Sequence, residues 1–92
     1  MSLNRTLVIL TIDTENLPSH FPEILKKERE MVSLWKSEGI LDQLFLRPTK
    51  NGAILIFNDI GEERVITLMR ELPFYQFKKS MEIYPMISDS QI

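Results

Sequence analysis

The chain has 92 residues, 13 acidic and 11 basic side chains for a formal charge of −2, and no cysteine. A chain of this length forms one domain, residues 1–92, and buries only roughly 60–65% of the surface that its unfolded form exposes. Disulfides, thiolate nucleophiles and sulfur-ligated metals are excluded, and the composition fits a reducing, cytoplasmic setting. The pairs Lys26-Lys27 and Lys78-Lys79 are too short for a phosphate-backbone footprint, so nucleic acid is not an expected partner. The longest apolar runs, "LVIL" and "AILIF", have the length of strands, and neither a membrane span nor a signal peptide is expected.

The first expected element is a strand over "TLVILTID", residues 6–13, β-branched and apolar on both faces. "LPSHFP" reads as a loop, with Pro22 suited to a first helical position and Ser19 and His20 placed for capping. From Glu23 to Glu38, Ile24, Leu25, Met31, Val32, Leu34 and Trp35 recur at helical spacing, and Lys26, Lys27, Arg29 and Glu30 cover the outer side. Gly39 ends this helix. "ILDQLFLR" at 40–47 and "AILIFND" at 53–59 form a hairpin around Asn51-Gly52. A second helix spans residues 61–72, with Val65, Leu68, Met69 and Leu72 on its inner stripe and Glu62-Glu63 at its positive end. "PFY" breaks it, and "QFKKSMEIYP" returns as the last strand.

The order β-α-β-β-α-β is the ferredoxin-like arrangement, an α+β fold on a four-stranded antiparallel sheet. Such a sheet, with both helices on one side, ordinarily alternates apolar and polar residues. Here Leu7 and Ile9 stand opposite Val8, Leu10 and Ile12, and Ile54 and Ile56 stand opposite Ala53, Leu55 and Phe57. Both faces call for cover. A second copy joined sheet to sheet is the simplest way to supply it, giving a homodimer and the basis for a larger assembly.

"KEREMVSLWKSEG" at 27–39, "LFLR" at 44–47 and "ELPFYQFKKSMEIYP" at 71–85 together resemble the muconolactone delta-isomerase family, within the dimeric α+β barrel superfamily. The resemblance runs from about Thr6 to Pro85. It implies a cofactor-free isomerase of aromatic-acid catabolism that shifts a double bond in a lactone, built from dimers assembled into rings, with a small-molecule pocket between helices and sheet. On this resemblance Glu28 matches a commonly acidic position of the first helix and Arg47 a basic position ending the second strand. The chain departs from the family pattern at the start of the first strand, at Asp42-Gln43 and at Tyr84-Pro85. A non-catalytic ligand-binding protein of the same fold, or a cofactor-independent monooxygenase of the superfamily, is the alternative.

Glu28 also stands out by its own spacing. It follows Ile24 by four residues and precedes Val32 by four, which puts a carboxylate on the apolar stripe. Burial there raises its pKa and suits a general base; a stripe-edge glutamate that reaches solvent, or binds Arg47 or a backbone group, is the plainer account. Proton transfer on an anionic lactone also needs a donor for the developing oxyanion and a cation for the carboxylate. Tyr84 can offer the first and Arg47 the second, against readings as an ordinary strand aromatic and a solvated strand-end charge. His20, the lone histidine, can line the pocket mouth, or it caps the helix or faces solvent. Trp35 reads as core first and pocket lining second, and Phe57 is placed with it as a substrate contact. One histidine and no cysteine leave no conventional transition-metal site, and no serine has a nucleophile's context.

Overall fold

The first strand, β1 (Asn4–Ile12), alternates strictly, with Thr6, Val8, Leu10 and Ile12 buried and the residues between them half-buried. In this computed structural model, which describes residues 4–89, it lies inside a four-stranded antiparallel sheet of order β2-β3-β1-β4. The other strands are β2 (Leu41–Leu46), β3 (Gly52–Phe57) and β4 (Lys78–Ile87). The helices are α1 (Phe21–Ser37) and α2 (Glu62–Glu71). The expected ferredoxin-like α+β order is therefore the observed one.

Register explains the two faces. Val8 pairs with Leu55 on one side and Ile83 on the other, and Leu10 pairs with Ala53 and Met81. Directly opposed residues share a face, so this set lies under the helices and meets Val32 and Trp35 of α1 and Val65 and Met69 of α2 in one core. Leu7 pairs with Ile56 and Tyr84, and Ile9 with Ile54 and Glu82, on the face that no helix covers among the described residues. Among the described residues no helix is long and apolar enough to cross a membrane.

Several boundaries differ from the sequence expectation. The helix α1 begins at Phe21, where the amides of Glu23 and Ile24 already donate to the His20 carbonyl. The His20 side chain makes no capping hydrogen bond, so the backbone alone starts the turn. Leu34 falls outside the apolar stripe and is exposed, because it lies well round the helix from the line through Ile24, Glu28 and Trp35. The stop at Gly39 is as expected: its φ of 77° admits the turn, and the Ile40 amide reaches back to the Trp35 carbonyl at 2.9 Å. After α2, Leu72 is extended before Pro73, and "PFYQF" forms a 3₁₀ turn, Pro73–Phe77, rather than an irregular break. Strand β4 consequently starts at Lys78.

Gly52 opens β3 where an added Cβ would sit 2.2 Å from the Leu10 carbonyl oxygen. Both groups belong to paired backbone, so neither can move without shifting the strands. Gly52→Ala is expected to destabilise the fold by about 1–3 kcal/mol, read as a lower denaturant midpoint; an unchanged midpoint would mean that β3 yields there at no cost.

Candidate functional site

The helix α1 carries Glu28 inward because Ile24, Glu28, Val32 and Trp35 lie on one buried stripe. Glu28 as a residue is 9% exposed. One oxygen, Oε1, accepts the Phe74 amide hydrogen at 3.0 Å, across 46 residues of sequence. This is the backbone partner of the plainer sequence account; Arg47 is not the partner. Burial pushes the Glu28 carboxyl up to about 7 from 4.5, and the Phe74 hydrogen bond opposes only part of that rise. The group therefore changes its charge near neutral pH.

The 3₁₀ turn that supplies the Phe74 amide is fastened to the start of α1. The Phe74 ring stacks on Phe21 at 5.3 Å, and Phe77 meets Phe21 edge-on at 5.8 Å. The Tyr75 amide donates to the Leu72 carbonyl at 3.0 Å, and Lys78 Nζ lies 5.0 Å over the Tyr75 ring. This cluster ties the turn to α1 as well as leading into β4. Neither Phe21 nor the Phe74 amide was singled out from the sequence. Phe21 had a usable signal, since it stands seven residues before Glu28 on the same helical stripe; the Phe74 amide had none.

Trp35 is buried two turns beyond Glu28, its ring 5.8 Å from that of Phe57, which is wholly buried. Glu28, Trp35 and Phe57 therefore lie together on the helix side of the sheet. Arg47 and Tyr84 do not join them. Arg47 Nη1 donates to Thr11 Oγ1 at 3.4 Å, and Thr11 lies on the open face with Leu7 and Ile9. Tyr84, paired with Leu7, is on the same open face, half-exposed, and its hydroxyl donates to Glu82 at 3.2 Å. The nearby Glu82 charge raises the tyrosine's pKa, which keeps the phenol protonated. His20 is exposed at the head of α1. The sheet thus separates the expected base from the expected carboxylate clamp and oxyanion donor within one protomer.

Two surface grooves lie away from Glu28. One, of about 650 Å³, follows the outer side of α1 past Leu25, Arg29, Ser33 and Leu34; the other, of about 560 Å³, lies between Arg5, Thr6, Glu62 and Pro85. Among the described residues no group of three histidine, cysteine or acidic side chains is placed to hold a metal ion.

The fold has solved counterparts. A crystal structure of muconolactone isomerase superposes with a TM-score of 0.73 at 15% identity, covering 97% of this chain and 93% of that one. A 5-chloro-2-hydroxyhydroquinone dehydrochlorinase from Burkholderia phenoliruptrix, in complex with 2,5-dihydroxybenzoquinone, gives 0.65 at 9% identity over 95% and 97% of the two chains. An antibiotic biosynthesis monooxygenase gives 0.59 at 12% identity over 94% and 98%. At these identities the likeness establishes a shared ferredoxin-like α+β fold and no shared chemistry. No protein-family model matches the chain, and no curated protein matches it in sequence.

Proposed function

We propose that this protein is a cofactor-free isomerase that moves a proton on a small anionic lactone of the muconolactone kind. The observation that carries the reading is Glu28, a carboxylate buried among apolar side chains and titrating at about 7. The fold shared with muconolactone isomerase supports it as an analogy.

The chemistry asked of the protein is modest. Glu28 as carboxylate takes a proton from a carbon conjugated with the lactone carbonyl. The electron pair left behind spreads to the carbonyl oxygen, and the same carboxylic acid returns the proton at the other end of the conjugated system. Nothing is consumed, so no co-reactant is needed. A pKa near the working pH serves both halves, because the base must be ionised in the first and the acid able to donate in the second. The Phe74 amide holds Oε1 and leaves Oε2 for the proton. Trp35, two turns further along α1, packs on Phe57, and the pair keeps this side of the sheet apolar. In this reading the protein works as a homodimer, the apolar open face formed by Leu7, Ile9, Ile54 and Ile56 covered by a second copy; Arg47 and Tyr84 lie at that covered face and take no part in the proton transfer at Glu28.

The separation of Arg47 and Tyr84 from Glu28 favours one second reading, a protein of this fold that binds a small ligand without turning it over. Proton NMR of muconolactone in heavy water separates the two. Isomerisation, or deuterium entry at the acidic carbon, is expected with the wild type and falls by about 10²–10⁴ in Glu28→Gln. Neither signal from folded protein with intact substrate would remove the isomerase reading and leave the binding one.

A further inference from the structure

The strand β2 is an edge strand with β3 as its sole partner among the described residues, and its outer half is apolar on both sides. Leu44, Phe45 and Leu46 are 37%, 51% and 66% exposed. Leu44 pairs with Leu55 and Leu46 with Ala53, which puts both on the helix side, beyond the helices; Phe45 pairs with Ile54 on the open face. A sheet-to-sheet contact covers Phe45 and leaves Leu44 and Leu46 bare. The charge-free run Leu44–Leu46 leaves an exposed apolar edge, which is a ready template for pairing with another strand.

We infer that the β2 edge is a self-association surface, at which two copies pair β2 to β2 antiparallel with Phe45 facing Phe45 of the partner subunit. Backbone direction permits it. The Arg47 amide points inward, to the Gly52 carbonyl at 3.1 Å, so by alternation the N–H and C=O groups of Leu44 and Leu46 point to the free edge.

Side-chain chemistry selects both the occupant and the register. In an antiparallel pair about a two-fold axis, Leu44 meets the partner's Leu46, Phe45 meets the partner's Phe45, and Gln43 meets the partner's Arg47. Apolar residues are matched on both sides of the joined sheet, and no like charges oppose each other. Sliding the pair by two residues one way sets Asp42 against the partner's Leu46. Sliding it the other way sets Phe45 against the partner's Arg47. Asp42 is already engaged by Arg5 at 3.3 Å, which keeps it out of this contact. The strand is its own complement, and that points to a second copy of this chain. The inference does not depend on the isomerase reading.

The absence of native cysteine makes the test direct. Leu44→Cys and Leu46→Cys proteins, mixed and oxidised, are expected to give a covalent heterodimer several-fold enriched over the homodimers that either forms alone. Directly paired residues across such a ladder lie within disulfide reach. Phe45→Cys is expected to cross-link by itself. The oxidised Phe45→Cys product without the mixed Leu44–Leu46 product would mean contact through the open sheet face and would overturn the inference. A wild-type assembly whose mass by light scattering is unchanged in Leu46→Lys, with no mixed product, would also overturn it and hand the edge to another segment. Loss of mass in Leu46→Lys with an unchanged far-UV spectrum would support it.

Discussion

Glu28→Gln is expected to remove a pH-dependent loss of stability that the wild-type protein carries between about pH 4.5 and 7. The sign follows from linkage. The folded carboxyl binds its proton more tightly than the unfolded one, so across that interval the folded state holds more protons, and raising the pH favours unfolding. The neutral acid incurs no penalty below pH 4.5; the full penalty is in force above the folded pKa of about 7. The size is on the order of 3 kcal/mol, from the rise at 1.36 kcal/mol per pKa unit. Glutamine keeps an oxygen to accept the Phe74 amide hydrogen and carries no charge to desolvate. Urea unfolding of both proteins at pH 5 and pH 8 measures the effect. The wild type should lose more stability than the variant across that step, and the variant should be the more stable of the two at pH 8. Equal changes in the two proteins would mean that Glu28 titrates as a solvated group, and the proposed base would go with it.

The second large effect is expected at Phe57. Its ring is wholly buried, it packs on Trp35 at 5.8 Å, and its backbone pairs with both Thr6 and Leu41. Phe57→Ala is expected to cost about 3–5 kcal/mol through lost transfer energy and the cavity left beside Trp35. A domain of this length has roughly 5–14 kcal/mol in total, so the substitution removes a large share of it. Leu34→Ala, on the exposed side of α1, should change stability by within about 0.5 kcal/mol. Denaturant midpoints of the two variants test the contrast. A small loss at Phe57 would show that the core collapses into the space beside Trp35.

The sequence by itself determined the order of elements, the strand faces and the helix stripe on which Glu28 sits. These are local properties. Alternation in β1 and β3 and the four-residue spacing from Ile24 through Glu28 to Val32 state which side each residue takes, whatever lies opposite. The same logic failed at Leu34, where an apolar residue was assigned to the stripe by type and the helix phase sends it outward. It failed more gently at His20, whose carbonyl rather than side chain starts α1.

Tertiary structure alone decided which groups meet. The partner of Glu28 is an amide 46 positions away, presented by a 3₁₀ turn whose place depends on two rings stacking against Phe21. Backbone amides leave no trace in residue identity, and a contact of that range depends on the path of the whole chain. Arg47 and Tyr84 had the right functional groups for an anionic lactone, yet the register of β2 on β3 and of β4 on β1 sends both to the far side of the sheet from Glu28. A one-residue change of register would reverse that, because the side-chain period of a strand is two. Spacing along the chain states the side of an element; only pairing between elements states which sides face one another.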